Sequence, residues 1–192
     1  MAKTVGMFFW KRLDHPGHDS CRLLKLTDGW RLSGAAVFRD ADRPCHFHYE
    51  VSVNPSWRTR GARVFGYLGG KPVDLRIRLS GDGVWRVNGI LKGGLYGCVD
   101  LDLAFTPATN LIVLRRLSLR VGQRVDAPAA WLQFPQMRLV RLPQSYHRIG
   151  RREYRYEAPS AGYTGTLHVL PSGAVSLYPG LFEQVTSGQE KT

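Results

Sequence analysis

Apolar and polar residues alternate with period two along much of this chain. In His46–Val53, Phe47, Tyr49, Val51 and Val53 fall on one face, and His46, His48, Glu50 and Ser52 on the other. That is the pattern of an antiparallel strand buried on one side. Leu75–Leu79 repeats it, with Arg76 and Arg78 sharing a face. Arg116–Val121, Glu153–Glu157 and Thr164–Val169 do so again. Turn signals separate these runs: Asp28-Gly29, Gly69-Gly70-Lys71-Pro72, Ser80-Gly81-Asp82-Gly83 and Pro171-Ser172-Gly173. No long stretch shows the 3.6-residue period of a surface helix. The spacing of about 8–12 residues predicts roughly a dozen short strands, more than an open sheet holds without curling. A curled sheet has a concave face. The expectation is one all-β domain over residues 1–186, a large antiparallel sheet rolled into a half-barrel or spiral, followed by a polar tail over 187–192.

Composition sharpens the picture at one point. The chain has 192 residues and 43% hydrophobic content, enough for a sizeable core. Its formal net charge is +12, and 21 of the 27 basic residues are arginines. Arginine's planar fork holds phosphate or carboxylate by two hydrogen bonds and stacks on aromatic rings. An anionic partner would account for this excess, as would a basic surface tuned for solubility. Three cysteines, Cys21, Cys45 and Cys98, form no Cys-x-x-Cys pair. Reduced thiols in the cytoplasm are the simplest reading. The apolar stretch Val5–Trp10 is too short for a signal peptide, and no run approaches the length of a transmembrane helix.

Most motifs of enzymes are missing. There is no Gly-x-Ser-x-Gly elbow, and Gly66-Tyr-Leu-Gly69-Gly70-Lys71 fails as a P-loop because Phe65 and Pro72 occupy its required positions. His15-x-x-His18 and His46-x-His48 lack further ligands at metal-site spacing. No metal or cofactor is expected. Asp100 and Asp102 share one face of a strand, where they can pair with arginines, do acid–base work or bond a ligand. Thr106-Pro107-Ala108-Thr109-Asn110 reads as a turn. In the strand predicted to follow it, Arg115 and Arg116 point to opposite faces.

Further segments belong with these: Cys21-Arg22-Leu23, Gly29-Trp30-Arg31-Leu32-Ser33-Gly34, Trp57-Arg58-Thr59-Arg60 and Trp85-Arg86-Val87-Asn88-Gly89. With Gly97–Leu103, Thr106–Asn110 and Arg115-Arg116-Leu117, Gln144-Ser145-Tyr146 and Tyr178–Phe182, they resemble the bacterial family known as putative glycolipid-binding. Two departures stand out. Leu111–Leu114 lacks the family's proline, and Phe182 stands where the family usually has tryptophan. The resemblance implies a rolled sheet similar in shape to bacterial lipoprotein-localisation factors, which are carriers that shelter acyl chains. It implies binding of a glycolipid-like molecule and brings no catalytic residues.

The leading expectation is a binder that holds an amphipathic, anionic ligand in the concave face. The candidate ligand-binding residues are Trp57, Arg58, Arg60, Trp85, Asp100, Asp102, Thr109, Asn110, Arg115, Arg116, Tyr146 and Tyr178. The first alternative is an enzyme of lipid or carbohydrate metabolism using Asp100, Asp102 and Tyr146 or His147. It requires the two carboxylates to open into a cleft. The second is a nucleic-acid binder, which the scattering of arginines over strands of both faces disfavours.

Overall fold

The computed structural model describes residues 2–185. The chain opens with a meander of eight antiparallel strands: β1 (Lys3–Arg12), β2 (Gly17–Leu26), β3 (Gly29–Asp40), β4 (Arg43–Val53), β5 (Thr59–Leu68), β6 (Lys71–Leu79), β7 (Trp85–Val87) and β8 (Ile90–Lys92). A middle segment follows, with β9 (Asp100–Leu103), α1 (Ala108–Leu117), β10 (Arg124–Asp126), β11 (Ala129–Leu132) and β12 (Leu139–Leu142). A second meander closes the chain: β13 (Ser145–Arg148), β14 (Glu153–Ala158), β15 (Tyr163–Val169), β16 (Val175–Tyr178) and β17 (Phe182–Gln184). β17 pairs antiparallel with β1, Trp10 opposite Gln184, and joins the two meanders into one sheet of fourteen strands. Its edges are β10 and β8, which do not pair, so the roll stays open. The tail expected over 187–192 lies outside the described residues.

The alternation read from the sequence sets which face goes inward. Cys45, Phe47, Tyr49, Val51 and Val53 of β4 are buried, while His48 and Glu50 between them are exposed. Their neighbours inside are Trp10, Leu32, Val64, Ile77 and Trp85 from the first meander, and Tyr146, Tyr156, Leu167 and Val175 from the second. Burying a large apolar side chain of this kind gains about 1.5–3 kcal/mol. At Gly66 (φ 144°) a Cβ would sit 1.9 Å from the His46 carbonyl oxygen, so β4 and β5 approach each other there only because that residue is glycine.

The hollow of the roll is filled by the chain itself, and this corrects the expectation of a concave face open to a ligand. β9, β11 and β12 form a small second sheet, in which β9 and β11 run parallel. Leu101, Leu103, Phe105, Leu111, Ile112, Ala130 and Leu132 of the middle segment belong to the same buried cluster as the sheet's inner face. Phe105 packs on Phe47 at 4.8 Å between ring centroids, and Phe134 packs on Phe38 at 5.2 Å. Hydrogen bonds pin the segment in place. Leu101 N donates to Thr59 Oγ1 (3.2 Å), Trp85 Nε1 to Cys98 O (2.9 Å) and Arg12 Nη1 to Phe105 O (3.3 Å). Buried Asp19 accepts from Tyr49 Oη at 3.0 Å and from Thr106 Oγ1.

α1 is a second correction. The turn expected at 106–110 and the strand expected over 116–121 are a helix from Ala108 to Leu117 and the loop after it. Ala108 to Leu114 are all buried. A helix covered on every side shows no amphipathic period. Its β-branched Thr109, Ile112 and Val113 favour strands locally, and enclosure by the roll overrides that preference. Ser118, in the left-handed region (φ 46°), ends the helix by donating its N–H to Leu114 O.

Candidate functional site

The C-terminal end of α1 meets the turns that join β13 to β14 and β15 to β16. Between them lies a groove of about 460 Å³, lined by Trp57, Leu114, Arg115, Arg148, Arg151, Arg152, Tyr154, Val169, Leu170 and Pro171, with Ser118 and Gly173. One wall is apolar, made by Leu114, Val169, Leu170 and Pro171 with the Trp57 ring. Four arginines make most of the remainder, with Tyr154, Ser118 and Gly173. Among the described residues none of these four lies in a salt bridge. Of the other seventeen arginines, Arg12, Arg31, Arg43, Arg60, Arg63, Arg116, Arg124 and Arg155 each have a carboxylate within 3.8 Å and nine have none among the described residues, so what distinguishes these four is that they converge on one groove.

Local structure fixes two of the four guanidinium groups. Arg115 donates from Nε to Ser172 O (2.7 Å), and its guanidinium lies 5.6 Å from the Trp57 ring centroid. Trp57 stacks on Trp30 at 4.7 Å and 15°. Trp57 has φ 63°, a conformation rare for a bulky residue. Asn54 holds it there: its O accepts from Trp57 N and its Oδ1 from Arg58 N. Arg148 donates to Leu119 O (2.6 Å), Arg151 O (2.7 Å) and Gly150 O (3.3 Å), and covers the Tyr154 ring at 5.5 Å. It thereby shapes the β13–β14 turn. Arg151 and Arg152 are exposed on that turn. A positive cluster at the helix C-terminus is tolerable because the helix dipole is negative there.

Of the residues singled out in the sequence, only Trp57 and Arg115 line this groove. Arg58 and Arg60 line a neighbouring recess of about 620 Å³ with Tyr96 and Gly97, and Arg60 pairs with Asp28 at 2.5 Å. Trp85 is fully buried. Arg148, Arg151, Arg152 and Tyr154 were not among the candidates. The signal available for them was three arginines within five residues around Gly150.

The other candidates gather inside the fold. Arg116 forks onto fully buried Asp100, Nε to Oδ1 at 2.8 Å and Nη2 to Oδ2 at 2.5 Å. Burial raises the Asp100 carboxyl, and Arg116 opposes that rise. Asp100 is thus engaged by an arginine rather than open to a cleft. Burial alone lifts Asp102 to about 7, although it keeps some accessible surface. Asp102 sits near enough to Tyr146, Tyr156 and Tyr178 for its charge to raise their hydroxyls further, after burial. Tyr146 Oη donates to Asn110 Oδ1 (2.8 Å) and Tyr156 Oη to Gln144 Oε1 (2.7 Å). Thr109 is buried too, and its Oγ1 accepts from Leu103 N at 3.4 Å. The three cysteines are buried and unpaired. No group of three or more His, Cys, Asp or Glu among the described residues has metal-site geometry.

A DUF1089 family protein from Pseudomonas aeruginosa, known from a crystal structure, superposes with a TM-score of 0.77 and 26% identity. The match covers 87% of this chain and 91% of that one. Among curated proteins none matches. No helix among the described residues is long and apolar enough to cross a membrane. Over residues 7–184, nearly all of both meanders and the segment between them, the sequence fits the profile of one family, and the chain belongs to it: the family described as "Putative glycolipid-binding".

Proposed function

We propose that the groove at the end of α1 binds the anionic head of an amphipathic, glycolipid-like ligand. The observation that carries this reading is four arginines without carboxylate partners, set against an apolar wall and the Trp57 ring. A charged or phosphorylated sugar head suits Arg115, Arg148, Arg151 and Arg152, whose remaining N–H groups make charge-assisted bonds. Trp57 offers a flat apolar face to a sugar ring or to the start of an acyl chain. Membership of the family supports the ligand class. Because the hollow is filled, this reading puts the ligand at the outside of the roll, with its acyl part along Leu170 and Pro171 rather than within the sheet.

Intrinsic tryptophan fluorescence, to which Trp57 in the groove contributes as one of five tryptophans, reads the binding. Titration with monomeric lysophosphatidylglycerol is expected to change the emission at concentrations where lysophosphatidylcholine does not. Arg151→Glu with Arg152→Glu removes two charge-assisted contacts at about 1.5 kcal/mol or more each, so affinity falls at least about a hundredfold. Equal response to both lipids, together with an unchanged Kd in the double variant, rules the reading out.

A further inference from the structure

The outward face of β1–β7 carries a second arrangement, separate from the groove. Registers place its side chains in rows across the strands. One row runs Tyr67, His46, Val37, His18, Lys11. The next runs Phe65, His48, Ala35, Ser20, Phe9. Beyond them come Arg76, Arg63, Glu50, Ser33, Arg22, Met7, and then Arg86, Arg78, Gly61, Ser52, Arg31, Leu24. The first two rows are therefore largely aromatic and apolar, and the last two carry arginines on β2, β3 and β5–β7 with Met7 and Leu24 at their β1–β2 end.

Three features mark this face as built for a partner. Met7 is 76% exposed, Val37 54%, Phe9 43% and Tyr67 42%, all on one side of one sheet. Met7 and Phe9 are neighbours on β1, while Val37 and Tyr67 follow across the sheet with His18 and His46 between; exposed apolar groups gathered on one face mark interaction sites. Arg63 lies directly opposite Arg76, and Arg78 directly opposite Arg86. Like charges so placed destabilise a sheet on its own, and an anion between them removes that cost. Recesses of about 380 and 430 Å³ lie among these arginines. The acidic residues facing them are Glu50 and Asp74, the latter 3.4 Å from Arg63.

We propose that this face docks on an anionic lipid surface. Guanidinium groups meet lipid phosphates while Met7, Phe9, Val37 and Tyr67 enter the boundary between headgroups and acyl chains. Nucleic acid shares the phosphates, but a phosphodiester backbone gives exposed aliphatic side chains such as Met7 and Val37 nothing to bury.

Co-sedimentation with vesicles tests the proposal. The full chain is expected to partition onto phosphatidylcholine vesicles containing phosphatidylglycerol and not onto phosphatidylcholine alone, with binding falling as salt rises. Arg63→Gln with Arg76→Gln and Arg78→Gln removes three surface charges at roughly fivefold each, a loss of about a hundredfold. Met7→Ser with Phe9→Ser should weaken binding while leaving the charge intact, and the thermal midpoint of each variant checks its fold. The fluorescence response to monomeric lysophosphatidylglycerol should survive the face variants, which separates this face from the groove. Absent or charge-independent partition overturns the proposal. So does undiminished binding by both face variants, loss of vesicle binding in Arg151→Glu with Arg152→Glu alone, or retention of an oligonucleotide where vesicles are not retained.

Discussion

Arg116→Ala is expected to lower unfolding free energy by about 3–5 kcal/mol, the usual cost of leaving one partner of a buried ion pair alone. Asp100 is fully buried and receives both of its strong contacts from Arg116. Removing the guanidinium strands a carboxylate where burial already disfavours its charge. The pair also ties α1 to β9 within the filled hollow, so the loss should appear in global urea unfolding and not as local fraying. Combining Arg116→Ala with Asp100→Asn should recover part of the loss, because no charge is left unpaired. A single-variant loss below about 1 kcal/mol would mean that the pair behaves like a surface salt bridge. Because Arg116 lies outside the groove, fluorescence-detected lipid binding by the folded fraction should be retained.

Asp102→Asn should act in the opposite direction. A carboxyl raised from 3.8 to about 7 on folding binds a proton more tightly in the native state. Its stabilising share is whole below pH 4 and fades as pH rises through the interval up to about 7. Asparagine cannot ionise, so the variant escapes that loss. Its advantage over the parent should be about 2–3 kcal/mol greater at pH 8 than at pH 5. Thermal unfolding of both proteins across that range measures it. A parallel pair of stability curves would show that Asp102 has an ordinary titration. Some slope should persist in the variant, because Asp19 is also lifted to about 7 by burial, against the pull of its bonds from Thr106 and Tyr49.

Local periodicity was readable along the chain, and tertiary packing was not. Period two in β4, β6, β14 and β15 is a local property, since each strand needs a buried face and shows it in its own residues. α1 had no such signature: its residues 108–114 are buried all round and include three β-branched side chains. Alternation alone therefore reads 116–121 as a strand. The aspartates showed the same limit. Their shared face was legible from the i,i+2 spacing, but Asp100 meets Arg116 only because α1 is a helix packed on β9. The groove needed four distant segments, Trp57, the end of α1 and two turns, and no spacing relates them. Of its four arginines only Arg115 was singled out beforehand.

The sequence by itself determined an all-β chain, the inward set of each long strand, the excess of arginine over its partners, and the family. These are properties of neighbouring residues and of totals. Tertiary structure alone decided what fills the roll, which arginines find carboxylates, and which of the uncompensated ones converge on the groove. Those outcomes depend on which distant surfaces compete for the same hollow. The middle segment fills it because its leucines, isoleucine and phenylalanine lose more water there than they would on the surface.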